Sequence, residues 1–409
     1  MKYKSDKFII TVFLCLIFGI FLFYPIKQAM ITLEISYIDI DGNWKFYTER
    51  DKGILSGYYN KVESTKMAID NRATNYFPYY GELVSFYSNA NQSLNKLLYS
   101  RYVPLGINSD NEYVIKDTKY NKLYLLSSKT NEDLDKRSKE LIQFYNNLSK
   151  NVDSEFYVYL PSRYEFQESL NKELEYRNMY KYVEKFMNNV EGITIKKLTI
   201  DSEAQYHDYY FGSDHHWNMK GAYAGYKEIM DMLGVKDYTE ADEIFRVNKI
   251  KYRGSLSKSI KDLNVYDYLY DVNVNLKEHT ILVNDEEASN KYKPRSIETL
   301  NKNDSPFYDY YVGYYYGLYG KVVYDFNQVD KENVLIISDS FSWEIDHLIA
   351  SNFNKTHVIN LMYDEFKDNG LNIKKYVEEN DIDKVLFLQE THTTIFDLYN
   401  HNISEGIVW

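Results

Sequence analysis

The run Val334-Leu335-Ile336-Ile337 constrains this chain more than any other feature. Four apolar residues stop abruptly at Ser338-Asp339-Ser340, and Phe341, Ile345, Leu348 and Ile349 then recur at helical spacing. A buried strand that feeds a helix in this way belongs to an α/β sheet. Four other segments have the same character: residues 156–160, stopped by Pro161 and followed by a helical pattern over roughly 164–189; residues 193–200; residues 357–362; and residues 384–388. A further helix is predicted around 371–379, and Ala222, Tyr226, Ile229, Met230 and Leu233 mark the buried face of another. Strands alternating with helices predict a mainly parallel sheet covered on both faces, three layers in all. Residues 240–330 interrupt the rhythm. They read as an insertion with an extended piece at 279–283 and an irregular, Tyr- and Gly-rich surface run at 308–320. Upstream, helical spacing over 79–100, a hairpin over 102–115 and a polar helix over 131–149 complete the domain.

The amino terminus limits where such a domain would work. Residues 8–24 carry no charged side chain, and with Pro25 and Ile26 the apolar stretch nears the ~20 residues a spanning helix needs. Lys2, Lys4 and Lys7 precede it, which predicts a cytoplasmic segment 1–7, a single-pass anchor over 8–26 and an extracellular remainder. A cleaved signal peptide would want a small-x-small site, and residues 25–35 offer only Ala29. Residues 27–70 read as a juxtamembrane stalk and 71–400 as the main domain. Cys15, the only cysteine, lies in the apolar stretch, so the exported part can form no internal disulfide and offers no thiol nucleophile. A net charge of −12 argues against nucleic acid as a partner.

Two segments carry the chemistry. Ser340 stands at a strand-to-helix turn, where the free backbone N–H groups of Ser340 and Phe341 can face a developing oxyanion. Taken alone, Ser338-Asp339-Ser340 is a weak signal and more often a helix cap. The second segment, Gly212-Ser213-Asp214-His215-His216-Trp217, adds an acid and an imidazole two residues apart, on one side of an extended stretch. Asp214 would orient His216, and His216 would take the Ser340 proton, the division of labour in a Ser-His-Asp site. His215 would then point away, and Asn218 would cap the helix that follows. Asp and two His are also good metal ligands, and packed histidines are common, so both readings stay open. The 44 tyrosines fit an AT-rich coding sequence. The cluster at 308–320 also suits sugar binding, which makes Tyr314 and Tyr316 candidate glycan contacts.

The D-H-H-W segment followed by Gly221-Ala222 resembles the signature of the DHHW protein family, which is similar to the SGNH-like domain of alginate O-acetyltransferases. The resemblance also takes in Asn75-Tyr76-Phe77-Pro78, Val103-Pro104-Leu105-Gly106, the strand ending in Pro161, Gly254-Ser255-Leu256 and the block Ser338-Asp339-Ser340-Phe341-Ser342, so it spans about residues 70 to 395. It implies an Asp214–His216–Ser340 triad on a circularly permuted SGNH-hydrolase-like α/β/α fold, because Asp and His precede the serine. Ser338 replaces the usual glycine of the nucleophile block. After the strand at 384–388 comes Gln389-Glu390-Thr391-His392 rather than Gly-x-Asn-Asp, so no side-chain Asn oxyanion donor is identified and Gln389 is a candidate substitute by position. Glu390 and Trp217 are expected near the substrate. The resemblance further implies an O-acetyltransferase that needs no cofactor and no metal, acts on a cell-surface or secreted polysaccharide and receives acetyl groups from a membrane-bound O-acyltransferase. A carbohydrate esterase with the same triad, a non-catalytic glycan-binding protein and D-alanyl transfer are the rivals.

Overall fold

The computed structural model describes residues 101–396 except 108–112, 127–130, 162–179, 261, 289–293, 301–305, 364–365 and 367–369, together with short strands at 37–38, 44–45 and 407–408. The expected anchor, most of the stalk, the helix over 79–100 and most of the helix over 164–189 lie outside the described residues. Among the described residues no helix is long and apolar enough to cross a membrane. The chain divides into units 1–84 and 85–409. In the first, Tyr37–Ile38 pairs antiparallel with Trp44–Lys45. All that follows concerns the second.

Besides the short antiparallel pair Leu371–Asn372 and Ile407–Val408, its described strands are, in chain order, β1 (Tyr102–Ile107), β2 (Tyr113–Asp117), β3 (Lys122–Leu126), β4 (Glu155–Leu160), β5 (Thr194–Lys197), β6 (Glu243–Arg246), β7 (Tyr270–Asn273), β8 (Thr280–Val283), β9 (Glu286–Glu287), β10 (Lys321–Asp325), β11 (Val334–Ser338), β12 (Lys355–Asn360) and β13 (Lys384–Leu388). The predicted hairpin is present and gains a third strand, giving the antiparallel sheet β1-β2-β3. The main sheet has the order β9-β8-β10-β12-β11-β13-β4-β5. From β12 to β5 every pairing is parallel. Counted from β11, those five strands run 2-1-3-4-5, the order of a doubly wound sheet. The chain enters it through the last two strands, β4 and β5, and reaches β11 later, which is the permuted connectivity expected.

The sheet is mixed rather than parallel throughout, and this corrects the reading of residues 240–330. The insertion lays β10, β8 and β9 antiparallel along the free edge of β12. An open edge of a long apolar sheet is a template for unwanted pairing, and the insertion covers it.

The three layers follow from residue alternation along the strands. Leu335, Ile337, Val385, Phe387, Phe156 and Val158 face one core, shared with the helices Asn131–Asn151, Tyr180–Asn189 and Ile373–Glu379. Val334, Ile336, Leu386, Leu388, Tyr157 and Tyr159 face the other, where Trp217, Met219, Tyr226, Phe341 and the tyrosines of 310–315 pack. The Tyr-rich run is therefore not an irregular surface. It forms the short helix Tyr310–Tyr315, capped by Asp309, with Tyr310, Tyr311, Tyr314 and Tyr315 buried. A phenol ring carries a large apolar area, and these four drive the helix into the core.

Candidate active site

Ser340 lies two residues beyond the tip of β11, in a turn that runs on to the helix Asp346–Ala350. The helix predicted to start directly after the serine begins later, because Ser342 N–H turns back to Asp339 O and Ile345 and Asp346 N–H bond Ser342 O. The turn stands between β11 and its neighbour β13, the topological switch point where doubly wound sheets present ligand sites.

The D-H-H-W segment reaches Ser340 from a loop closed on itself: Phe211 N–H bonds His216 O, and Asn218 N–H bonds Tyr209 O. Asp267 pins the start of this loop, its carboxylate accepting Gly212 N–H, Ser213 N–H and the Ser213 hydroxyl. The end is fixed by Asn218, whose side chain accepts Lys220 N–H and Gly221 N–H, the cap read from the sequence. Gly221 is required here, since a Cβ would come within 2.4 Å of Tyr209 O.

The three expected residues are brought together. His216 Nδ1 is 2.5 Å from Asp214 Oδ1, and His216 Nε2 is 2.6 Å from Ser340 Oγ. The ionised carboxylate accepts the Nδ1 proton, which leaves Nε2 to accept the serine hydroxyl. Asp214 is otherwise saturated: Oδ1 also takes His216 N–H, and Oδ2 takes the Tyr252 hydroxyl and Ser255 N–H. Burial alone would push the Asp214 carboxyl up, but the adjacent imidazoles and these hydrogen bonds hold it well below its ordinary value. Burial, followed by the neighbouring His215, lowers His216 to about 4 despite Asp214, so the ring is neutral and basic at pH 7. Tyr311 stacks on that ring, with centroids 4.3 Å apart, and donates its hydroxyl to Ser340 O.

His215 departs from expectation. The segment is bent rather than extended, and the two imidazoles sit 3.9 Å apart instead of pointing to opposite sides. His215 Nδ1 meets Ser255 Oγ at 2.8 Å, and neither of its ring nitrogens bonds Ser340. Asp214, His215 and His216 bring possible metal-ligating atoms close together, but a cation there would compete with every hydrogen bond just described. A second such group, Asp117, Glu203 and His207, already holds the Arg101 guanidinium on both of its carboxylates.

The remaining expectations divide. Phe341 N–H is taken by Asp339 Oδ1 at 2.9 Å, so it does not face an oxyanion. Ser340 N–H makes no hydrogen bond among the described residues. Trp217 is fully buried and donates Nε1–H to Phe341 O, which braces the nucleophile turn and removes it from contact with a substrate. Tyr314 is buried with its hydroxyl on Asp271, so it is no surface contact, whereas Tyr316 is half-buried and lines a cavity. Gln389 is fully buried, and its carboxamide bonds nothing among the described residues. Half-buried Glu390 gives its N–H to Asp339 Oδ2. Asp339, Tyr252, Tyr311 and Asp267 were missed by sequence reasoning. Of these only Asp339 carried a signal, its place inside the nucleophile block.

A strand-tip serine, a neutral imidazole and a buried carboxylate thus stand hydrogen-bonded in series at the switch point of a doubly wound sheet. Residues 120–287 match the family model described as "SGNH hydrolase-like domain, acetyltransferase AlgX", a stretch that contains Asp214 and His216 and ends before Ser340. No curated protein matches the chain by sequence. Among solved structures, PatB1 of Bacillus cereus, captured with a sulfonyl adduct, superposes with a TM-score of 0.53 at 21% identity over 71% of this chain and 98% of its own. A DHHW family protein of Eubacterium siraeum does so with a TM-score of 0.52 at 17% identity, over 74% of this chain and 96% of its own. The resemblance read from the D-H-H-W segment thus returns both in the family model and in the fold.

Proposed function

We propose that the protein is a membrane-anchored, outward-facing O-acyltransferase that moves an acetyl group onto a hydroxyl of a cell-surface or secreted polysaccharide. The observation that carries this reading is the continuous relay Asp214–His216–Ser340, in a chain that matches an acetyltransferase family model.

In the first half-reaction Ser340 Oγ attacks the acyl carbonyl carbon as its proton passes to His216 Nε2. Ser340 N–H stabilises the oxyanion, and Asp214 the imidazolium. The donor's leaving group departs with the proton from Nε2, leaving acyl-Ser340 and a neutral imidazole. In the second, a sugar hydroxyl gives its proton to Nε2 and attacks the acyl carbon, and Ser340 leaves with that proton. Each step returns His216 to the same state, so no cofactor is needed.

The apolar run over 8–26 with lysines before it supports an anchor with the domain outside. A domain so held would receive acetyl groups through a membrane-bound O-acyltransferase.

The test is intact-mass spectrometry of the protein after exposure to p-nitrophenyl acetate. We expect one added acetyl group, absent in Ser340→Ala, which polysaccharide discharges as glycan ester. Discharge only as free acetate, with polysaccharide present, would make the protein an esterase. An unlabelled wild-type protein that also ignores a sulfonyl fluoride would overturn catalysis altogether.

A further inference from the structure

A cavity of about 170 Å³ is lined by Trp343, Tyr315 and, at the tip of β11, Ser338. Tyr311, which stacks on His216, joins this lining to the relay: its ring centroid lies 4.9 Å from that of Tyr315 and 5.9 Å from that of Trp343. The walls come from the ends of β8, β10, β11 and β12 and from the segment after the Tyr-rich helix, so the insertion builds the cavity on the sheet that carries the nucleophile.

Its lining has two parts. Tyr315, Tyr316, Tyr319, Tyr324 and Trp343 supply aromatic rings. Asp346, His347 and Asn360 supply polar groups with unused capacity. Asn360 is buried; its Oδ1 accepts Met362 N–H, and its Nδ2 has no partner among the described residues. His347 Nδ1 lies 2.9 Å from the Arg295 guanidinium, and Nε2, on the other side of the ring, bonds nothing among the described residues. The same holds for the Trp343 indole N–H and for the second oxygen of Asp346, whose Oδ1 takes His347 N–H. Arg295 is not a free cation: it bonds Asp271 Oδ1, Trp343 O and Glu344 O.

Aromatic rings together with planar donors and one acceptor suit a ligand ring that has apolar faces and equatorial hydroxyls. The volume admits about one six-membered ring. The Asp346 carboxylate, with Arg295 already paired, disfavours an anion.

We propose that this cavity is a subsite for one neutral pyranose ring of the glycan. Its purpose rests on the acyltransferase reading, but its existence does not. A polymer chain seated there passes beside the nucleophile turn, and the subsite sets which hydroxyl is presented to acyl-Ser340.

The test uses the full chain carrying Ser340→Ala, so that binding is read without turnover. The probes are methyl β-glucopyranoside, methyl 2-acetamido-2-deoxy-β-glucopyranoside and methyl β-glucopyranosiduronate, followed by saturation-transfer NMR. We expect saturable binding of at least one neutral glycoside, with the uronate weaker. Tyr316→Asn, which removes a ring at a left-handed residue that Asn tolerates, should weaken binding roughly tenfold at an unchanged melting temperature. Tyr319→Ala serves as the second variant if the first fails to fold. Binding of no neutral glycoside, equal binding of the uronate, or undiminished binding in a folded variant would overturn the subsite. None of these outcomes depends on whether Ser340 is acylated.

Discussion

The ring of Tyr311 lies nearly parallel to the His216 imidazole, 14° between planes, while its hydroxyl reaches the carbonyl of Ser340. One side chain therefore touches both halves of the relay. Burial keeps the phenol neutral, so the hydroxyl stays a donor. Removing it in Tyr311→Phe costs one hydrogen bond, about 1 kcal/mol, and kcat on an activated acetyl ester should fall roughly fivefold. Tyr311→Leu also strips the stacked face from His216. The decisive readout is the pH profile: if Tyr311 positions and shields the imidazole, the acid limb moves up in Leu and stays in Phe. Identical limbs in all three proteins would make the stacking incidental.

Gly254 packs against the Asp214 carboxylate with no space for a side chain. A Cβ at this position would stand 2.1 Å from Oδ2, against a buried side chain with no room to yield. Gly254→Ala should displace the carboxylate, loosen its bond to His216 and lower kcat on the order of a hundredfold, the scale of an ångström-sized misplacement. Steady-state kinetics alongside circular dichroism would separate this from unfolding. A folded variant with wild-type turnover would show that Asp214 does not orient the base.

His215 and His216 are adjacent in sequence and in space, yet only His216 bonds Ser340. His216→Ala should lower activity about as far as Ser340→Ala, since members of such a relay act as a unit. His215→Ala should keep most of it. The reverse ranking would exchange their roles. Equal loss, with stoichiometric metal found by elemental analysis of the wild type, would point to metal chemistry.

The folded-state pKa of His216, about 4, lies below the ordinary 6.5. The imidazole thus stays neutral down to about pH 4, and if it is the general base proposed above, the acid limb of kcat/KM should lie near 4 rather than 6.5. Stability follows the same sign. As pH falls from 6.5 toward 4 the unfolded chain binds a proton that the buried ring refuses, so this contribution is lost on acidification. A kinetic limb at 6.5 would mean that the imidazole is far more solvated than its packing indicates.

What was legible in the sequence was local. The strand-tip serine, the D-x-H pair and the capping Asn218 are short-range patterns, and the alternation along 334–338, 384–388 and 155–160 sets both faces of the sheet. The supports of the site were not legible, because they come from far along the chain: Tyr252 and Ser255 reach Asp214 across 38 and 41 residues, and Asp267 reaches Ser213 across 54. With 44 tyrosines in the chain, nothing marked Tyr311 as the one that stacks on the base. Composition suggested a surface for 308–320, and burial of four phenol rings decided otherwise. The direction of β10 was equally hidden, because an insertion can return along a sheet edge either way.

Asp339 ties the tips of β11 and β13 together, accepting Phe341 N–H and Glu390 N–H on its two oxygens. Burial nevertheless raises its carboxyl to about 7, against the effect of those bonds. An acid raised in the folded state stabilises most below its unfolded value, and the contribution is lost as pH rises through the folded one. Between about pH 4 and 7 the unfolded chain releases a proton that the folded one keeps. Asp339→Asn has no proton to release, so it should escape this loss. Its melting temperature, measured against wild type from pH 5 to 8, should improve relative to wild type as pH rises. The carboxamide can accept at only one atom, and rotating its NH₂ toward Glu390 N–H sets donor against donor. Activity should therefore fall even where stability gains, because the turn holding Ser340 loses one of its two anchors. Melting curves that stay parallel across that range would show that Asp339 is ionised throughout and that its burial is better compensated than its surroundings suggest.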